Sequence, residues 1–119
     1  MSSKQATELH TILKKVFPNN IILKEHYVKY KYTRLFFDFY IKDLGVLIEV
    51  QGRQHVEYVE HFHGSKESFR EQKRRDNLKV QYVEEQGSLT LIRFYYNEKL
   101  DVDLVMDKIC KGLEGCFYE

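Results

Sequence analysis

The chain has two cysteines, no long apolar run and no apolar segment at its start, and each shortage excludes a class of protein. Cys110 and Cys116 are too few for a disulfide framework, so we expect both thiols to be reduced. Apolar runs fall far short of the roughly 20 residues that a membrane span needs. The first five residues lack the apolar core of a secretory signal. We therefore expect a cytoplasmic, intracellular protein with no membrane partner.

What is present fits a compact folded chain. Hydrophobic residues make up 43% of the sequence and charged residues 31%, a balance typical of globular proteins. Its 119 residues suit one domain, and there is no internal repeat, low-complexity tract or linker. We predict a single domain over residues 1–119. The net charge of +1 excludes little, but cations are concentrated in residues 66–79.

Two short apolar runs are each interrupted by an acid. Residues 36–41 (FFDFYI) contain Asp38, and residues 46–51 (VLIEVQ) contain Glu49. Gly45 lies in the short connection and supplies the backbone freedom that a tight hairpin needs. Side chains alternate along a strand, so we expect Asp38 to share a face with Phe36 and Tyr40.

Carboxylates inside an apolar sheet require compensation, and a hard divalent cation supplies it. We expect Mg²⁺, with Mn²⁺ as a substitute, to be held by Asp38, Glu49 and the carbonyl of Val50. Gln51, two residues past Glu49, can orient a water molecule but cannot act as a base. A cation is then needed from elsewhere, and Lys79 is the best-placed candidate.

Two predicted helices carry further polar candidates. Over residues 65–86, helical periodicity places Asp76 within the apolar stripe and Lys79 along its edge. Either Asp76 pairs with a nearby cation, or both residues face the acids of the hairpin. In the first helix, Glu8 lies beside the apolar stripe, where it is either a solvated glutamate or a residue that reaches the sheet. His55 follows the second acid and could transfer protons, although an exposed loop histidine is the plainer interpretation.

Residues 28–34 (VKYKYTR) alternate between basic and aromatic side chains. Such a segment either extends a strand or offers cations to phosphates and rings to sugars and bases. The two interpretations weigh about equally. The residues that we expect to contact nucleic acid are Tyr30, Lys31, Tyr32, Arg34, Arg53 and Lys73.

The predicted order of elements is α-β-β-β-α-β-α. Such an order indicates an α/β (α+β) sandwich in which helices flank a mixed central sheet. The strand from Leu89 should run parallel to the strand from Val46, with the long helix as the crossover.

Asp38 followed by Glu49-Val50-Gln51 resembles the core motif of the PD-(D/E)XK nucleases, which usually have lysine where Gln51 stands. The run DFYIKDLGVLIEVQGRQH, then Arg75-Asp76-x-x-Lys79 and the strand LTLIRF, is similar to one branch of that superfamily. This branch includes the very-short-patch-repair (Vsr-like) endonucleases and phage homing endonucleases. The zinc-binding cysteines and histidine of the repair enzymes have no counterpart in the chain.

The resemblance implies a restriction-endonuclease-like fold and a Mg²⁺-dependent DNA endonuclease of homing, repair or restriction type, active as a monomer or homodimer. It implies Asp38 as the central metal ligand, Glu8 as a metal or water ligand, His55 as the site histidine and Asp76 as the acid of the helix. The residues expected to act in catalysis are Asp38, Glu49, Gln51, His55, Asp76 and Lys79.

Two alternatives remain open at this stage. Replacement of the usual lysine by Gln51 is compatible with a nuclease fold that binds nucleic acid without cutting it. A plainer alternative is a structural α/β domain whose acids are satisfied by Arg53, Arg75 and Arg93.

Overall fold

The computed structural model describes residues 3–53 and 66–114, and it has the predicted order of helices and strands. A short 3₁₀ turn, Lys42–Leu44, precedes the third strand. Within the described residues, no helix is long and apolar enough to cross a membrane. The elements in chain order are α1 (Lys4–Val16), β1 (Ile22–Tyr30), β2 (Thr33–Ile41), β3 (Val46–Gln51), α2 (Lys66–Gln86), β4 (Thr90–Tyr95) and α3 (Val102–Glu114).

The four strands form one mixed sheet in the order β1-β2-β3-β4. The first two pairs are antiparallel, and β3 pairs with β4 in parallel, from Val46 opposite Thr90 to Gln51 opposite Tyr95. Parallel neighbours need a crossover connection, and α2 lies in it. The predicted α/β class, the parallel pair and the helical crossover are therefore confirmed.

Gly45 has the backbone conformation that the sequence predicts for it. Its φ is 66°, a left-handed value that L side chains adopt rarely. A Cβ atom at this position would lie 2.7 Å from the carbonyl oxygen of Ser88, which is too close for any side chain. The backbone N–H of Thr90 also donates to the Gly45 carbonyl over 2.8 Å, so this turn starts the β3–β4 pair.

Helices α1 and α3 cover one face of the sheet. Their apolar stripes and the strand residues beneath them form the larger core, which contains no buried charge among its members. This core consists of Ala6, Leu9, Leu13, Phe39, Ile41, Val46, Ile48, Ile92, Phe94, Val105 and Ile109.

Helix α2 covers the opposite face, where the apolar core is smaller. It consists of Leu35, Phe37, Leu47 and Leu78. Val80, an apolar residue of α2, is 38% exposed. The buried polar residues of the described chain, by contrast, are Glu49 and Gln51 on β3 and Asp76 and Lys79 on α2.

The β1–β2 hairpin changes faces in its middle. Phe37 packs on the α2 side and Phe39 on the α1/α3 side, although two residues of a regular strand that are two apart share a face. The register passes from Lys24–Phe39 to His26–Phe37 without pairing the residues between them, Glu25 and Asp38.

The backbone of Glu25 explains the change of face. Its φ of 52° is left-handed, and a non-glycine residue inside a strand rarely adopts that conformation. The expectation that Asp38 shares a face with both Phe36 and Tyr40 is therefore wrong. Phe36 is exposed on the open side, whereas Tyr40 packs with the core beneath α2.

Candidate active site

Glu49 is the centre of a buried ionic cluster between the sheet and α2. Lys79 of α2 donates to Glu49 Oε1, and Arg93 of β4 donates from Nε to Glu49 Oε2 over 3.2 Å. The Glu49 side chain is only 6% exposed, that of Lys79 11% and that of Arg93 19%. Both cations are needed here, because a buried carboxylate without partners would be strongly destabilising.

Arg93 also fixes the helix over the sheet. The β3–β4 register places Arg93 directly beside Glu49, and its Nη2 donates to the backbone carbonyl oxygen of Asp76 over 3.0 Å. Asp76 itself is 6% exposed. Two carboxylates and two cations therefore lie in or against this buried region, and they come from three different elements. The prediction that Lys79 faces the hairpin acids agrees with its bond to Glu49.

Gln51 carries a buried amide donor that has no partner among the described residues. The residue is 4% exposed, and its Nε2 atom finds no hydrogen-bond acceptor in the part of the chain that the structure describes. An unsatisfied buried amide costs about 1–3 kcal/mol, so such a group usually has a reason to be retained. Gln51 follows Glu49 on the same face of β3. Its amide is therefore available to an oxygen of a ligand or a water molecule.

Asp38 lies where β2 and β3 separate. The ladder between these strands ends at the pair Phe39–Ile48. Beyond it, Asp38 Oδ2 accepts a hydrogen bond of 2.7 Å from the backbone N–H of Val50. The side chain therefore replaces a ladder contact and is held next to Val50, whose carbonyl was expected to join it as a metal ligand.

Glu25 is a candidate that the sequence analysis missed. With Asp38, Phe36 and Phe37, it lines a cavity of about 430 Å³ at the point where the hairpin changes faces. A strained backbone at a polar cavity is typical of functional sites. The position of Glu25 opposite Asp38 depends on the turn at residues 31–32, and the sequence of residues 28–34 was equally compatible with a loop.

Two predicted site residues are not brought into this cluster. Glu8 is exposed on α1, a helix that packs on the opposite sheet face from Lys79. His55 lies outside the described residues. Within residues 3–53 and 66–114, no group of three His, Cys, Asp or Glu side chains is close enough to hold a metal ion. The metal-binding roles of Glu8, Asp38 and Glu49 stay predictions.

The residues at the β1–β2 turn that were predicted to contact nucleic acid do not all face the same way: some reach α2 and others do not. Tyr30 faces α2, where its hydroxyl donates to Glu85, and this hydrogen bond raises the pKa of Tyr30 to about 12. Lys31 also reaches α2, through a bond of 3.2 Å from Nζ to Gln81 Oε1. Tyr32 is fully exposed at the turn, and the guanidinium of the exposed Arg34 lies over the Tyr27 ring. The segment thus extends the strand pair rather than forming a loop.

The two remaining predicted contacts lie elsewhere. Arg53 is exposed just past the end of β3. Lys73 lies on α2, with its ammonium 5.7 Å from the ring centroid of Phe69. Neither residue is next to the turn at residues 31–32, so the six predicted contacts do not form one continuous surface.

Taken together, the site has a carboxylate-lined cavity, a buried ammonium and an amide donor with no acceptor in the described part of the chain. Asp38 presents carboxylate oxygen at the strand separation, Lys79 holds positive charge in a region of low dielectric, and Gln51 can orient an oxygen atom. Electrostatic interactions are stronger in such a region than in water. Carboxylate oxygens of this kind suit a cation, whereas the Lys79 ammonium is compensated by Glu49.

Comparison with known proteins gives one partial similarity. The chain is 39% identical over 62 residues to "Uncharacterized protein 307L" of Invertebrate iridescent virus 6. The aligned segment covers 52% of this chain and 31% of the viral protein, so the chain spans about a third of that relative's length. No protein-family profile matches the chain. No solved structure matches it either.

Proposed function

We propose that this protein is a Mg²⁺-dependent DNA endonuclease with a restriction-endonuclease-like fold, which hydrolyses phosphodiester bonds. The observation that carries the proposal is the buried Glu49–Lys79 pair beside the Gln51 amide, whose Nε2 has no acceptor within residues 3–53 and 66–114. A domain that needed only to fold would be more stable with apolar residues at these positions. The burial of these polar groups at the contact between β3 and α2 favours a catalytic use.

The donor atoms at Asp38 suit Mg²⁺. This ion usually keeps several water molecules and takes one or two carboxylates together with oxygens of the substrate phosphate. Asp38 and the Val50 carbonyl would hold it, with Glu49 as the further predicted ligand. Mg²⁺ would there lower the pKa of a bound water and stabilise charge on phosphoryl oxygens.

The residues of the chain have separate tasks in this proposal. Lys79 places a positive charge beside Glu49, where Gln51 has replaced the usual charged residue, and so stabilises negative charge that develops on the phosphate. Gln51 orients the attacking water through its free amide donor. Glu49 positions Lys79, because both of its carboxylate oxygens contact cations.

The test is cleavage of plasmid and oligonucleotide DNA by the purified protein with Mg²⁺ or Mn²⁺. We expect EDTA to stop cleavage and Asp38→Asn to lower its rate by about 100-fold or more, because one electrostatic contact at a reacting phosphate is worth that much. Asp107→Asn is the matched control, since Asp107 is an exposed acid on α3 that pairs with Lys111. It should cut at a rate close to that of the wild type.

Full activity in Asp38→Asn would contradict the proposed mechanism. A second candidate is a nuclease-like protein that binds DNA without cutting it. The engagement of both Glu49 oxygens by Lys79 and Arg93 favours this candidate, because it leaves Glu49 less available to a metal ion. DNA binding with no cleavage in either metal, unchanged in Asp38→Asn, would establish it.

A further inference from the structure

One face of the outer half of the β1–β2 hairpin is exposed among the residues that the structure describes. Leu35, Phe37 and Val28 point towards α2 and pack with its core. Because side chains alternate along a strand, the neighbours of these three residues point to the other side of the sheet. Four such residues are exposed: Tyr27, Lys29, Arg34 and Phe36.

These four residues form two cross-strand pairs, which we call the hairpin stripe. Tyr27 is opposite Phe36, with ring centroids 5.7 Å apart, and Lys29 is opposite Arg34. The Arg34 guanidinium lies 5.8 Å from the centroid of the Tyr27 ring, so the cationic pair continues directly into the aromatic pair. Tyr27 is 51% exposed and Phe36 55%, which is a high exposure for two neighbouring aromatic rings.

The hairpin stripe connects two concave regions. At its inner end, Phe36 lines the cavity that contains Asp38 and Glu25. At its outer end, Lys29 and Arg34 line a second cavity of about 320 Å³ with Tyr32. From Glu25 to Lys31 the strand spans about 20 Å at about 3.3 Å per residue, which is long enough for several nucleotides.

We propose that the hairpin stripe binds an unpaired strand of DNA and leads it to the Asp38 cavity. Lys29 and Arg34 complement backbone phosphates, and the rings of Tyr27 and Phe36 stack with bases. Stacking of this kind needs base faces that a duplex keeps covered, so a single-stranded segment fits the stripe and an intact duplex does not. The inference rests on the proposed function, because it names the substrate form that the same site takes.

The conformation of the hairpin tip agrees with a binding role. Lys31 and Tyr32 both have left-handed backbone angles, with φ of 47° and 63°. A two-residue turn of this type prefers Asn-Gly, and bulky residues there are strained. Tyr32 is nonetheless placed at the tip with its whole side chain exposed, adjacent to the cationic pair.

The experiment is fluorescence anisotropy with a short labelled single-stranded oligonucleotide, and with the same strand annealed to its complement. Measurements are made in EDTA, so that binding is separated from cleavage. We expect Tyr27→Ala with Phe36→Ala to weaken single-strand binding about tenfold or more, because stacking on two rings is lost. Tyr27→Ala with Phe36→Tyr should keep much more of the binding than the double alanine variant, since it retains a ring at position 36.

The matched control is Met106→Ala with Leu113→Ala, two apolar residues of similar exposure on α3. This variant should bind within about twofold of the wild type, since it lies outside the stripe. Lys29→Ala with Arg34→Ala should reduce the slope of log affinity against log salt by about 1.4, or about 0.7 for each lost phosphate contact.

Three results would overturn the inference. The first is unchanged single-strand binding in the aromatic double variant with normal circular dichroism. The second is that the wild type binds the duplex more tightly than the single strand and that the aromatic double variant loses duplex binding to the same extent. The third is a homodimer, seen by sedimentation, that dissociates in this variant while DNA binding persists.

The same variants distinguish failure of the proposed function from failure of the hairpin stripe. Stripe-dependent binding without cleavage in Mg²⁺ would support the hairpin stripe and overturn the endonuclease. Cleavage that persists in the variants of the stripe residues would support the endonuclease and overturn the hairpin stripe.

Discussion

The two faces of the sheet share the same four strands but bury different chemistry. Beneath α1 and α3 the described core is apolar throughout, whereas beneath α2 a smaller apolar core adjoins Glu49, Gln51, Asp76 and Lys79. Polar groups are costly to bury and contribute little net stability even when paired. We infer that the α1/α3 side provides the stability of the domain and that the α2 side is kept for its chemistry.

The largest expected effect on stability is on the apolar side. Phe94 is fully buried between the sheet and its two helices, so Phe94→Ala should lower the free energy of unfolding by about 3–5 kcal/mol. Urea denaturation followed by circular dichroism measures the loss. A loss below about 1 kcal/mol would mean that this side is not the stabilising one.

Lys79→Met tests the ionic cluster. It leaves Glu49 with Arg93 as its cationic contact in the cluster, and we expect a loss of about 2–3 kcal/mol, since an incompletely paired buried carboxylate is destabilising. Adding Glu49→Leu should recover at least half of this loss, because an apolar pair removes the desolvated charge. Cleavage activity should not recover with it.

If Lys79→Met with Glu49→Leu were as unstable as Lys79→Met alone, the division between a stabilising α1/α3 side and a functional α2 side would be contradicted. The ionic cluster would then be structural, as in the plainer alternative from the sequence. In that case, activity and stability should fall together across the variants rather than separately.

Gln51→Leu should separate stability from activity most clearly. The side chain keeps a similar size and loses an amide that has no acceptor among the described residues, so the variant should be more stable by about 1 kcal/mol. Cleavage should fall, because nothing then orients the water. Gln86→Leu, at the exposed end of α2, is the control and should change neither quantity. A destabilised Gln51→Leu protein would show that the amide has a structural partner.

The smallest effect concerns the outer end of α2. The hydrogen bond to Glu85 raises the pKa of Tyr30 to about 12, so the protonated hydroxyl is favoured in the folded protein. Its contribution to stability is complete below about pH 10 and is lost as the pH rises towards 12. Glu85→Gln should lower this pKa in an alkaline absorbance titration, whereas Glu84→Gln should leave it unchanged. Equal titrations in the two variants would refute the assignment.

Much of the fold could be predicted because it follows from local patterns. Helical periodicity placed Lys79 towards the hairpin, and the glycine in the Lys42–Gly45 connection indicated the turn before β3. The parallel pairing of β3 and β4 followed from the intervening helix, because a parallel neighbour needs a long connection.

The site could be predicted only in part, because strand alternation was assumed to be regular. The left-handed backbone of Glu25 breaks that alternation. No residue type near Glu25 predicts this conformation. Glu25 lies opposite Asp38 only once the turn at Lys31 and Tyr32 is known. That turn lacks the usual glycine or asparagine, so the sequence offered no pattern by which to find it.

The parallel pairing of β3 and β4 also has a consequence for partial unfolding. Strands β1 to β3 form a meander of neighbouring segments, whereas β4 joins it only through contacts that are distant in sequence. A local opening that detached α2 and β4 would take Lys79 and Arg93 away from Glu49 in one event. The amide hydrogens of β4 and of α2 near Lys79 should therefore exchange with solvent as one cooperative unit, and the rate of that exchange would report how often the site comes apart.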